Sequence, residues 1–207
     1  MKEIARLVGV SVASVSYWVR DVPLTSDQQA HLLRRMSANG RAAAAASRSR
    51  AAREVRRSYQ ERGRVQARRR RPLHTAGCML YWAEGSKGRN GVQFVNSDPA
   101  MVRYFVSFLR TYYGVSDEAF RVDCNLFADH AERQHEIEQF WLDTLELPPS
   151  CLRRSTVNAY SKYSKKKRKG RLPYGTVRIC IHSTEIVQQI YGAIQEYGGF
   201  ERPEWLG

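Results

Sequence analysis

This chain is short of acid. Of its 207 residues, 34 are Lys or Arg and only 20 are Asp or Glu, so the net charge is +14. The positive charge is uncompensated, and the expected partner is anionic. Long apolar runs are also missing: none approaches the roughly 20 residues that span a bilayer. The N-terminus lacks the apolar core of a secretion signal. These absences predict a soluble, cytoplasmic protein with no membrane partner. The four cysteines, Cys78, Cys124, Cys151 and Cys180, include no CxxC pair. That excludes a zinc knuckle and a disulfide framework and predicts buried free thiols. His130 and His135, five apart, suit two ligands on one helix face poorly and are expected at the surface.

The charge sits in two blocks. Residues 1–71 carry net +12, residues 72–152 carry −5, residues 153–171 carry +9 with no acid, and residues 172–207 carry −2. A membrane surface attracts such blocks in general. The first block, however, opens with MKEIARLVGVSVASVSYWVRD, which reads as a helix-turn-helix, the shape that lays a short helix in the DNA major groove. A first helix over Lys2 to Val8 is followed by Gly9, which tolerates the turn. Ser11 caps a second helix over Val12 to Arg20. Val15 and Trp18, three apart, face the first helix, with Val19 on the same side and small Ala5 at the crossing. Ser11, Ala13, Ser14, Ser16, Tyr17 and Arg20 remain as the candidate DNA face. A helix-turn-helix ordinarily closes its core with a preceding helix, so the helix over Ser26 to Asn39 is expected to pack across Val15 and Trp18 unless the chain begins too late.

Asp21 to Thr25 is a proline-containing exit, and Ser26 caps the next helix, with Ala30, Leu33 and Met36 as its apolar stripe. Gly40 interrupts. Arg41 to Arg62 forms an Ala/Arg-rich helix with little to bury, which Gly63 breaks and a basic linker to Pro72 follows. Its arginines, Arg53 and Arg57 among them, suit either a solvated spacer or an arm that neutralises phosphates. From Leu73 the pattern is that of an α+β domain. A helix runs from Leu73 to Glu84 and a strand over Val92 to Val95. Asp98 and Pro99 open a helix to Tyr113, closed by Gly114. A strand over Phe120 to Phe127 precedes a helix over Ala131 to Leu145, with Ile137, Phe140, Trp141 and Leu145 inward. Strands over Ser155 to Tyr160 and Thr176 to His182 flank the second basic block, which becomes a long hairpin loop. Ser183 caps the last helix. The segments are 1–39 (helix-turn-helix), 40–72 (basic helix and linker), 73–198 (α/β domain with a mostly antiparallel sheet) and 199–207 (tail).

The segment GCMLYWAEG, Gly77 to Gly85, resembles the signature helix of the LAGLIDADG homing endonuclease superfamily, with Leu80, Ala83, Glu84 and Gly85 at matching positions. The element order over roughly 73–198 is similar to that superfamily as well. The resemblance implies a saddle-shaped sheet over DNA, two signature helices packed at a centre, and an acid at each helix end holding a divalent cation. Glu84 is then the candidate metal ligand and catalytic acid, with Mg²⁺ as the cofactor of a cleaving enzyme. A lysine near the centre assists cleavage in that family; Lys162 is the nearest basic residue to the preceding strand. Some relatives pair a degenerate domain of this type with a helix-turn-helix and do not cut. The signature's small second and third positions are Cys78 and Met79 here, and methionine implies a looser, shifted or absent crossing.

Physical chemistry gives Glu84 two readings. An acid at a helix C-terminus opposes the dipole, which suits metal binding; alternatively it caps its own loop or pairs with Lys87 or Arg89. One Glu per chain needs a homodimer to make a two-acid centre, and a near-palindromic target. The remaining candidate DNA contacts are Lys87, Arg89, Arg153, Arg154, Tyr160, Lys162, Lys165, Lys166, Lys167, Arg168, Lys169 and Arg171, with Tyr163 and Tyr174 interleaved. The leading expectation is sequence-specific binding of double-stranded DNA by a regulator or site-recognition factor. The alternative is a homodimeric Mg²⁺-dependent endonuclease. RNA binding through the arginine-rich segment is a third.

Overall fold

The structure, a computed structural model, describes residues 1–35, 38–158 and 172–207. Its contacts group the chain into two units, Met1–Ala51 and Ala52–Gly207.

In the first unit, α1 (Lys2–Val8) ends on Gly9 in the left-handed conformation at φ 71°. Helix α2 (Val12–Trp18) starts at Ser11, whose Oγ accepts the Ser14 N–H at 3.1 Å. Two seven-residue helices are each about 10 Å long and offer one point of close approach. Ala5 and Val15 fill it, at 5% and 1% exposure. Trp18 was expected on that face but is 57% exposed, and Val19 lies beyond the helix. The ring sits on the last residue of α2, past the crossing. Helix α3 (Ser26–Arg35) does not cover it, and Leu33 of the expected stripe is itself exposed.

Helix α4 (Ala38–Ala67) differs most from expectation. It continues through Gly40 and through Gly63, where a break was expected. Glycine costs a helix about 1 kcal/mol relative to alanine. Gly63 is nevertheless in place because a Cβ there would overlap the Gln189 carbonyl of the last helix, α8 (Thr184–Gly198). The reciprocal position is Gly192 of α8, where a Cβ would overlap the Gln60 carbonyl. Two backbones thus meet directly at two glycines. Around them runs a buried glutamine chain. Gln60 donates to Gln188 at 2.8 Å and accepts from Gln195 at 3.1 Å. Gln188 also donates to the Trp205 carbonyl at 3.0 Å, and Gln195 accepts the Arg202 N–H at 2.8 Å. The helix expected to bury little of itself therefore buries Gln60, Gly63 and Ala67.

The rest of the second unit follows its caps. Pro72 opens α5 (Pro72–Glu84). After β1 (Val92–Asn96), the Asp98 side chain accepts the N–H groups of Ala100 and Met101, opening α6 (Pro99–Tyr113), which ends on left-handed Gly114. Strand β2 (Arg121–Phe127) leads into a 3₁₀ turn, Ala128–Arg133, and then α7 (Gln134–Leu145). The turn explains why His130 is buried rather than at the surface: its Nδ1 accepts the Phe127 N–H at 3.3 Å. His135 is exposed. Strands β3 (Thr156–Asn158) and β4 (Thr176–Ile181) precede α8, whose Ser183 cap accepts the Ile186 N–H at 3.2 Å. The four thiols are free; three are buried and Cys180 is half-buried.

The sheet order is β1-β4-β2-β3. Two pairings are antiparallel and β2–β3 is parallel. The architecture is α+β with a mixed sheet, antiparallel in its larger part. Because β2 lies between β3 and β4, those two strands do not pair with each other as the expected hairpin. Phe94, Ile179 and Val122 align across three strands and face the helices, with Phe94 stacked on Phe105 at 4.3 Å. His74 of α5 is fully buried against the Phe108 and Tyr112 rings, its Nδ1 2.7 Å from the Tyr197 hydroxyl of α8. Burial pushes its pKa down to about 4.

Two stability experiments test these contacts. Gly63→Ala or Gly192→Ala gains helix propensity but forces α4 and α8 apart, so each should lose about 3 kcal/mol in urea unfolding. A neutral or stabilised variant would refute the backbone contact. His74 stays neutral in the fold while the unfolded chain takes a proton near pH 6.5. Its contribution is therefore complete above about pH 6.5 and lost as pH falls toward 4, on the order of 3 kcal/mol. Unfolding curves at pH 7 and pH 4 should show that difference for the wild type relative to His74→Phe; equal pH dependence would contradict it.

Candidate nucleic-acid interface

Side chains alternate across a strand. Val92 and Phe94, Val122, Cys124 and Leu126, and Val177, Ile179 and Ile181 face the helices and are buried. The opposite face carries Gln93 and Val95 on β1, Thr176, Arg178 and Cys180 on β4, and Arg121, Asp123, Asn125 and Phe127 on β2. None of these belongs to the core cluster. At the centre, Arg178 and Asp123 are directly opposed in the antiparallel register. Arg178 presents Nε and Nη2 to Asp123 Oδ2, each at 2.9 Å. The Asp123 side chain is 6% exposed and that of Arg178 is 41% exposed. Asp123 Oδ1 is buried with no hydrogen-bond partner among the described residues. The hydrogen bond to Asp123 raises the Arg178 pKa above its ordinary value. Arg121 is folded back, donating to the Glu118 and Phe120 carbonyls. Arg153 and Arg154 lie exposed just before β3, and neither has an ion pair among the described residues. The Arg153 N–H bonds the Val122 carbonyl at 2.7 Å, which holds this segment against β2.

Glu84 is the last residue of α5 and is exposed. Lys87, expected on phosphate, caps this helix: its Nζ donates to the carbonyls of Tyr81, Trp82 and Gly85 at 3.2, 2.7 and 2.7 Å. Burial and the nearby Arg202 charge lower the Lys87 pKa, and Glu84 opposes that shift. Within one chain the donor set does not fit a divalent cation. Glu84 is one carboxylate, the carbonyls beside it already accept an ammonium, and no cluster of three His, Cys, Asp or Glu occurs among the described residues. Mg²⁺ prefers one or two carboxylates with a free approach. The small residues of α5 serve its own fold. Gly77 lies against Phe108, where a Cβ would overlap the ring, and Cys78 is buried. The Arg89 guanidinium rests on Gly207.

Ala13, Ser16 and Tyr17 on α2 and Arg20 just beyond it are exposed, and the Arg20 guanidinium lies 5.5 Å from the Tyr17 ring centre. Ser11 and Ser14 are engaged with each other through the cap, their hydroxyls 2.9 Å apart. Arg53 donates to the Gly207 carbonyl at 2.8 Å, and Arg57 pairs with Glu54 at 2.9 Å. Arg41, Arg48 and Arg50 are exposed with no ion pair among the described residues. Tyr174 stacks on Phe140 with 3.7 Å between ring centres, which occupies one face of its ring. Tyr160, Lys162, Tyr163, Lys165, Lys166, Lys167, Arg168, Lys169 and Arg171 lie outside the described residues.

Sequence reasoning missed Gln93, Asp123, Asn125, Thr176 and Arg178. The signal was present: RVDCNL and TVRICI alternate, so the polar members share one face. The neighbouring basic block, with nine charges in residues 153–171, overshadowed it. Neither a protein-family model, nor a curated protein, nor a solved structure matches the chain.

Proposed function

We propose that the protein binds double-stranded DNA sequence-specifically and acts as a regulator or site-recognition factor. The observation that carries this reading is the second face of the sheet. It presents Arg178, Gln93, Asn125 and Thr176 outside the core, with Arg153 and Arg154 exposed beside β2. Polar groups on a twisted sheet suit base edges, and flanking arginines suit phosphates. The Met1–Ala51 unit adds a second basic surface, through Tyr17 on α2, Arg20 just after it, and Arg41, Arg48 and Arg50 on α4. In this reading the unit is a helix-turn-helix and the larger unit a LAGLIDADG-like domain.

A second reading, the dimeric Mg²⁺-dependent endonuclease, is favoured by one observation: Glu84 is exposed at the end of α5 with no ion pair among the described residues. It requires a partner copy to supply the second carboxylate.

Fluorescence anisotropy with a duplex DNA across salt concentrations separates binding from chance attraction. About six phosphate contacts give a slope of log K against log salt near −5. Weak binding with a shallow slope would refute the DNA reading. Incubation with a randomised duplex library and Mg²⁺ should yield no cuts, and Glu84→Gln should bind as the wild type does. Discrete double-strand cuts abolished by Glu84→Gln would instead establish the nuclease.

A further inference from the structure

Arg178 is held by an unusual carboxylate. Asp123 is buried in the sheet, and both nitrogens of one guanidinium edge converge on its Oδ2. The other oxygen, Oδ1, has no hydrogen-bond partner among the described residues. A carboxylate placed for stability would use both oxygens, because an unpaired buried acceptor costs free energy. The arrangement instead fixes the plane of the guanidinium. With Nε and one side of Nη2 taken, the donors without a partner among the described residues are on Nη1 and the far side of Nη2. They form the end of the fork, on a side chain that keeps 41% of its surface open. An arginine that contacts phosphate needs no such orientation, since phosphate accepts from many directions. An arginine that reads a base does, because guanine O6 and N7 accept a fork in one plane.

Resting on the DNA-binding reading above, we propose that Arg178 reads a guanine in the major groove and that Asp123 is its positioning residue. The neighbours on this face, Gln93, Asn125 and Thr176, have the chemistry to read adjacent base edges. Arg153 and Arg154 supply backbone contacts that carry no sequence information.

The test is selection of a randomised duplex library by the full chain, followed by affinities for the selected site and its single-base variants. The wild type should show one guanine position at which substitution costs about tenfold to a hundredfold. Arg178→Lys keeps the charge and removes the fork, so that preference should vanish while the salt slope stays within about one unit. Asp123→Asn should weaken the preference at the same position and leave the others intact, an effect that a merely destabilised sheet would not produce. If Arg178→Lys retains the full site preference, or weakens every sequence alike, the proposal is wrong and DNA binding stands. If the wild type binds no duplex, the DNA-binding reading fails and the proposal with it.

Discussion

The contact between the backbones of α4 and α8 governs the second unit. At Gly63 and Gly192 neither helix has a side chain to place between itself and the other. Direct backbone approach fixes their separation more tightly than a layer of leucines would, because no rotamer can absorb a shift. It also fixes what surrounds it. Gln60 must satisfy its amide inside the crossing, and Gln188 and Gln195 are the groups that reach it. Those two residues in turn hold the Trp205 carbonyl and the Arg202 N–H, which brings the C-terminal segment over α8, with Trp205 stacked on Tyr191 at 4.4 Å. Arg53 and Arg56 of α4 then cap the Gly207 and Leu206 carbonyls. On its other side α8 meets α5 through His74 and Tyr197, so the position of α5 depends on the same crossing.

That packing divides the basic charge into two populations. Arg62, Arg64 and Arg68 face Glu185, Glu201 and Glu196 at 2.8, 2.7 and 3.0 Å. Exposed ion pairs of this kind contribute little stability, but they satisfy the guanidinium groups locally. Arg41, Arg48 and Arg50 have no such ion pair among the described residues. An Ala/Arg-rich helix that looks uniform in composition is therefore not uniform in electrostatics. The acids that neutralise its second half lie far away in sequence, on α8 and just beyond it, and net charge by segment does not register them.

The parts of the fold that are readable from sequence are those set by local chemistry. Asp98 with Pro99, Ser183, Gly114 and Ser11 mark helix boundaries through bonds within four residues of themselves. The α4 face is unreadable for the opposite reason. Its buried positions, Gln60, Gly63 and Ala67, carry almost no apolar surface, so hydrophobic periodicity has nothing to detect. Gly63 looks like a break when only the chain around it is considered, and becomes a contact when α8 is present. Strand order failed similarly. Two strands flanking one basic block look like a hairpin, yet β2 takes the place between them, and only the long-range register reveals it. At the candidate site, alternation along β2 and β4 was legible residue by residue, whereas the opposition of Asp123 to Arg178 depends on register. Trp18 illustrates a limit of helix-face arithmetic: i,i+3 spacing assigns a side, but helix length decides whether anything stands opposite.

The Asp123–Arg178 pair is poorly explained as a stabilising element. Removing a carboxylate from water costs several kcal/mol, and a single guanidinium in a sheet often returns less than well-packed apolar residues would. On this face, Val95 of β1 lies directly across from Arg178 on one side and Asp123 on the other, so an apolar row was available to the sequence. The ion pair instead yields a charged plane held rigid at the middle of a four-stranded sheet, with polar side chains at the neighbouring outward positions. Rigidity of this kind is useful when a partner has to be recognised in one orientation. Lys87 shows the contrast within the same domain. Its ammonium is satisfied by three carbonyls of its own helix terminus, which makes it a structural cap although its sequence position, three residues after Glu84, suggested a ligand contact. Whether a cation faces outward thus depends on which acceptors the fold places around it, and on that basis Arg178 is the outward one.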